Sequence, residues 1–160
     1  MLKTPPAQRP EADYQNSWIQ EDNVVWPTFE QGAEDDRLDH FIHRDGKIFA
    51  GTHLIIDLWG AKQLDDLNYM EAAMRLAVEK SKATLLHIHL HHFTPNGGIS
   101  GVAVLAESHI SVHTWPEKNY AAFDVFMCGD AQPEHAAEVF NEFFKPFSYQ
   151  VNNIRRGQIK

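Results

Sequence analysis

Hydrophobic positions along the chain switch between two periods, and the switches mark out the elements. Gly51–Trp59 (GTHLIIDLW) reads as a strand with one apolar face. Over residues 66–82 the spacing changes: Met70, Ala73, Met74, Ala77 and Val78 fall at i, i+3, i+4, i+7 and i+8. That is one apolar stripe of a helix, with Asp65 or Asp66 placed to cap it. Period two returns over 84–93, where Leu86, Ile88 and Leu90 face one way and His87, His89 and His91 the other. Pro95-Asn96-Gly97-Gly98 marks a turn. Three short β-prone runs follow at 102–106, 110–114 and 121–127. Pro133 suits the first position of a second helix, to which Val139, Phe140, Phe143, Phe144 and Phe147 give a wide aromatic stripe expected in the core. A last strand is expected at 149–155.

Two helices, each following strands, predict an α+β fold: a two-layer sandwich of a mostly antiparallel sheet with helices on one face. The other face then needs cover. A second copy of the same chain is the simplest cover, giving a homodimer with a four-layer αββα arrangement. The domain is expected to span 47–160, with room for one core of ordinary size. Residues 1–46 differ. Four prolines interrupt them, and ten acidic against four basic residues hold six of the chain's eight excess negative charges. They read as an irregular acidic extension with no assigned function. Trp18, Ile19, Val24, Val25, Trp26 and Phe29 are apolar enough to pin its middle to the domain.

A net charge of -8 argues against nucleic acid or an anionic membrane as partner. No apolar run approaches the roughly 20 residues that span a bilayer. A single cysteine, Cys128, forms no internal disulfide, which fits a reducing cytoplasm. The N-terminus has no basic-then-apolar signal pattern.

Candidate chemistry concentrates between Phe93 and Gly129. The alternating histidines share a strand face, but no cysteine or carboxylate stands at ligand spacing, so no metal is expected. Gly97-Gly98-Ile99-Ser100-Gly101 has neither the lysine of a P-loop nor the dinucleotide pattern. Ser108 lacks a Gly-x-Ser-x-Gly elbow. Two readings of Cys128 remain, a small buried apolar side chain or a nucleophile paired with His113.

The ordered set Ile99-Ser100-Gly101-Val102, Glu107-Ser108-His109, His113-Thr114-Trp115-Pro116-Glu117, Tyr120-Ala121-Ala122 and Cys128-Gly129 resembles the S-adenosylmethionine decarboxylase proenzymes of the short prokaryotic type. The correspondence is close over about 51–129 and looser to Gly157, and it leaves the first 46 residues uncovered. Decarboxylating an α-amino acid leaves a carbanion that side chains do not delocalise, so a carbonyl electron sink is needed. The resemblance implies one made from the chain itself. Ser108 attacks the carbonyl of Glu107, and the chain splits into a β chain of residues 1–107 and an α chain of residues 108–160. Ser108 is left as a pyruvoyl group. The resemblance further implies that Ser100 steadies the intermediate and that His113 removes the Ser108 α-proton. Cys128 would return a proton to the substrate α-carbon, Glu117 would hold ribose hydroxyls, and Phe93 would stack on adenine. A surface charge and a core aromatic are the plain alternatives for the last two. The implied substrate is S-adenosylmethionine, and the product an aminopropyl donor for spermidine synthesis. Relatives of the fold that decarboxylate ornithine or arginine supply the alternative.

Spacing bears on assembly. Ser108 and His113 are five positions apart on one predicted strand, so they point to opposite faces, about 16 Å apart. Proton transfer needs about 3 Å or one bridging water. A two-fold partner reconciles the two, joining Ser108 and Cys128 of one subunit to Ser100 and His113 of the other.

Overall fold

The computed structural model describes residues 40–159. A small hairpin comes first, β1 (Ile42–Arg44) with β2 (Lys47–Phe49). It is fastened by buried Ile42 and Phe49 and by a backbone bridge from Ile48 to Ile159. The hairpin therefore reaches into the stretch that the sequence reads as irregular. Residues 1–39, with the apolar group from Trp18 to Phe29, lie outside the described part.

The main elements follow as β3 (Gly51–Trp59), α1 (Leu67–Lys80), β4 (Leu85–His92), β5 (Ile99–Leu105), β6 (Ser108–Trp115), β7 (Tyr120–Met127), α2 (Glu134–Phe144) and β8 (Ser148–Arg156). The six long strands form one antiparallel sheet in the order β4-β5-β6-β7-β3-β8. Both helices pack on one face of it. Asp66 caps α1 by accepting the Tyr69 amide at 2.9 Å. The α1 stripe of Met70, Ala73, Met74, Ala77 and Val78 is buried as its spacing predicts. From α2, Ala136, Val139, Phe140 and Phe144 enter the same core, Phe140 stacking on Phe123 of β7 at 4.1 Å. Each large side chain so buried stabilises by about 1.5–3 kcal/mol. The expected α+β two-layer sandwich is the observed architecture.

The sheet's other face is left open among the described residues. Its neighbours in register include His91, Ser100 and His113, and farther along Trp59, Tyr120 and Trp115.

Three positions depart from the pattern. Phe147 is 95% exposed, because Lys145 in the left-handed conformation and then Pro146 end α2 before the aromatic stripe is complete. Leu86 is exposed because a bulge between Leu85 and His87 shifts the register of β4. Strand β5 begins at Ile99, so Gly101 is a strand residue. A Cβ there would lie 2.4 Å from the His89 carbonyl oxygen, and only glycine lets β4 approach.

Candidate functional site

Chemistry-bearing side chains gather at the two ends of β6. At its first end the chain links β5 to β6 through Ala106 and Glu107 alone, Leu105 pairing with Ser108. Glu107 takes φ +60°, a left-handed conformation that disfavours a side-chain-bearing residue by about 1–2 kcal/mol. Ser108 follows, 9% exposed on the helix-facing side. The β6–β7 pairing carries Cys128, just past the end of β7, against it. The Cys128 amide donates to Ser108 Oγ at 3.3 Å, and the thiol lies 3.7 Å from the same oxygen. The thiol also donates to the Glu107 carbonyl oxygen at 3.0 Å. The Cys128 thiol thus reaches both the carbonyl oxygen of the Glu107–Ser108 peptide and the Ser108 hydroxyl.

At the other end of β6, His113 faces Ser100 across the ladder, with Ser100 Oγ and His113 Nδ1 2.8 Å apart. These two line a pocket of about 240 Å³ with Phe93, Asn96, Trp115 and Glu117. Phe93 opens the loop to β5, fixed by its amide donating to the Gly98 carbonyl and its carbonyl accepting from the Gly97 amide, each at 2.8 Å. His91 meets the Phe93 ring edge-on at 4.5 Å. Glu117 lies in the 3-10 turn Pro116–Lys118. Behind the pocket, buried Thr114 Oγ1 accepts the Ile99 amide at 2.8 Å and donates to the Leu64 carbonyl at 2.9 Å. From the pocket an aromatic row runs outward, Trp115 on Tyr120 and Tyr120 on Trp59. Tyr120 donates its hydroxyl proton to Asp57, and burial first, then that bond, pushes its pKa up to about 12.

The structure therefore brings Glu107, Ser108 and Cys128 together, and separately Phe93, Ser100, His113 and Glu117. It does not join the two groups within one chain. Strand β6 is regular, with alternate residues buried and no register shift, so the sequence spacing stands. Ser108 and His113 lie on opposite faces, about 16 Å apart by strand rise.

Between these ends the open face is polar. Arg156 donates to His53 Nδ1 at 3.1 Å, His53 Nε2 faces Asp124 at 3.4 Å, and Ser111 donates to Asp124 at 3.3 Å. His109, stacked on Phe126, has its pKa lowered by burial and by His53, partly offset by Asp124. Among the described residues, no three His, Cys, Asp or Glu side chains converge as a metal set. Nor is any helix there long and apolar enough to cross a membrane.

The sequence places Thr114 at the end of a short β-prone run and Thr114 and Tyr120 within the ordered motif, with no role assigned to either side chain. Their roles depend on Leu64 and Asp57, which are remote in sequence and give no local signal.

Comparison with known proteins matches the sequence and fold of this chain to one family. The family model for S-adenosylmethionine decarboxylase covers residues 52–157. The S-adenosylmethionine decarboxylase proenzyme of Thermomicrobium roseum is 46% identical over 110 residues, spanning 68% of this chain and 95% of that protein. The proenzyme of Methanococcus maripaludis is 46% identical over 112 residues, spanning 68% and 91%. The crystal structure of adenosylmethionine decarboxylase from Aquifex aeolicus superposes with a TM-score of 0.62 at 30% identity, covering 69% of this chain and 92% of that one. With a matching sequence over two thirds of its length and a matching fold, the chain belongs to the S-adenosylmethionine decarboxylase family.

Proposed function

We propose that this chain cleaves itself between Glu107 and Ser108, and that the processed enzyme decarboxylates S-adenosylmethionine at sites shared by two copies. The observation that carries the proposal is the division of the chemistry between the two ends of β6.

Cleavage begins at the Glu107 carbonyl. Ser108 Oγ attacks its carbon, a C–O bond forms, the C–N bond breaks and the freed amine takes up the hydroxyl proton. The Cys128 thiol, 3.0 Å from the carbonyl oxygen, is the donor placed to meet negative charge developing there. The left-handed Glu107 favours rupture, since breaking the chain releases its strain. An imidazole then removes the Ser108 α-proton, the Cβ–O bond breaks, and Glu107 leaves as a carboxylate. Water displaces ammonia from the new N-terminus, leaving a pyruvoyl group. The Ser108 environment suits that group, being nearly enclosed and lined by one thiol and one backbone amide.

The pyruvoyl carbonyl supplies the electron sink that decarboxylation requires. The chain's own residues do the remainder. Cys128 delivers a proton to the substrate α-carbon, a task suited to a thiol near neutrality. Phe93 offers an aromatic face and Glu117 a carboxylate to the nucleoside. Both line one pocket with Ser100 and His113, which supports S-adenosylmethionine over ornithine or arginine. Decarboxylated S-adenosylmethionine then serves as aminopropyl donor for spermidine in the cytoplasm.

Within one subunit His113 is too far from Ser108 to take its proton. Two-fold pairing of the open sheet faces, a four-layer αββα dimer, brings the His113 end of one copy to the Ser108 end of the other. Co-expression of Ser108→Ala and His113→Ala tests this. Neither variant cleaves alone, but a mixed dimer has one site with both lesions and one with none. Cleaved chain derived from the His113→Ala subunit is expected on a denaturing gel. Mixed dimers that form and stay uncleaved would place the whole site within one subunit.

A further inference from the structure

One residue near the cleavage turn comes from outside the part shared with the family. His40 precedes β1 and lies before the matched residues 52–157. Its ring Nε2 is 3.3 Å from Glu107 Oε2, and its carbonyl accepts the Gly129 amide at 2.8 Å. His40 thus bridges the two sides of the reacting group: Glu107, which carries the carbonyl, and the Cys128–Gly129 step, which carries the thiol.

The segment that delivers it is firmly held. Next to it, β1 and β2 are fastened by buried Ile42 and Phe49, and Arg44 lies 3.9 Å from Glu134 at the start of α2. Three residues of this contact set have left-handed backbones, His40 at φ +51°, Glu107 at +60° and Gly129 at +59°. For Glu107 and His40 that conformation is unfavourable by itself and must be held by surrounding contacts. The Glu107 side chain makes such a contact with His40.

Cleavage depends on the direction in which the Glu107 carbonyl points. Its oxygen must stay at the Cys128 thiol while its carbon faces Ser108 Oγ. The Leu105–Ser108 pair and the Cys128 thiol already hold that peptide, and the tie from the Glu107 side chain to His40 adds a further restraint. We infer that His40 is a positioning residue for self-cleavage, its ring holding the Glu107 carboxylate while its carbonyl holds Gly129. The inference rests on the self-cleavage reading and gives the residues before the family core a part in maturation.

The test follows conversion of freshly translated full-length chain into two chains, for wild type and for His40→Ala, His40→Gln, Glu107→Ala and the double variant His40→Ala with Glu107→Ala. His40→Ala is expected to slow cleavage roughly three- to tenfold, the effect of one polar contact held in the reacting geometry. His40→Gln keeps a side-chain N–H donor and should recover most of the rate. The double variant should be no slower than Glu107→Ala alone, because the two residues act through one contact. Melting temperatures of the variants, each also carrying Ser108→Ala, separate a general loss of folding from a loss of positioning. A His40→Ala chain that cleaves at the wild-type rate overturns the inference, as does a double variant slowed by the product of the two single effects. If wild type itself never splits, the self-cleavage reading fails first and this one falls with it.

Discussion

Replacing Thr114 by valine should destabilise the fold through two hydrogen bonds and almost nothing else. The side chain is 7% exposed, and valine keeps its volume and β-branched shape. What disappears is a hydroxyl that accepts the Ile99 amide at 2.8 Å and donates to the Leu64 carbonyl at 2.9 Å. Ile99 and Leu64 are 1% and 2% exposed, so neither backbone group readily finds water in exchange. Leaving one buried polar group unpaired costs about 1–3 kcal/mol, and partial relaxation brings the pair to about 2–4 kcal/mol. For a domain of this size that lowers the melting temperature by roughly 10 °C. The measurement is denaturant unfolding at fixed protein concentration, in a Ser108→Ala background so that a single chain unfolds. Thr114→Ser is the control: it keeps the hydroxyl, loses one methyl and should cost only about 1 kcal/mol. A valine variant within about 0.5 kcal/mol of its parent, or a serine variant worse than valine, would refute the reasoning.

Three other outcomes are expected. Phe140→Ala should lose about 3–5 kcal/mol, because the ring is fully buried and stacked on Phe123, and unfolding of the Ser108→Ala chain measures it. Tyr120 has a pKa raised from 10.0 to about 12, so the folded state favours the neutral phenol. Its contribution is complete below pH 10 and is lost as pH rises through about 12; Tyr120→Phe should flatten that alkaline decline in stability. Processed enzyme should release labelled carbon dioxide from S-adenosylmethionine and not from ornithine or arginine, and the reverse preference would give the substrate to the alternative.

The sequence was most informative where one period governs a whole element. Strand β6 alternates without a break, so the opposed directions of Ser108 and His113 were legible from spacing alone. The stripe Met70, Ala73, Met74, Ala77 and Val78 likewise located the buried face of α1. It was least informative where a distant contact decides. Phe147 continues the aromatic spacing of α2, but Lys145 and Pro146 end the helix first. Leu86 keeps the alternation of β4, but a bulge turns it outward. Strands β1 and β2 are three residues each, too short for any period to register. Within the candidate site, Ser100, His113 and Glu117 stand in the ordered motif, and Phe93 was named only through the resemblance. The anchoring by Thr114, Tyr120 and His40 did not come through, because each depends on a residue remote in sequence.

The strand order also decides what would hold the molecule together if the Glu107–Ser108 bond is cut as proposed. The first fragment keeps β3, α1, β4 and β5, and the second keeps β6, β7, α2 and β8. In the sheet these alternate: β4 and β5, then β6 and β7, then β3, then β8. The boundary between fragments is therefore crossed at three strand ladders, β5 to β6, β7 to β3 and β3 to β8, and again where the helices meet in the core. Each fragment keeps only two-stranded ladders of its own, β1 with β2 and β4 with β5 in the first and β6 with β7 in the second, and each holds only part of the core. Cleavage there would remove a covalent tie but leave two interlocked pieces that separate only by unfolding. The intact precursor is what allows that interlock to be assembled, and fragments made separately would have to fold around each other to recover it.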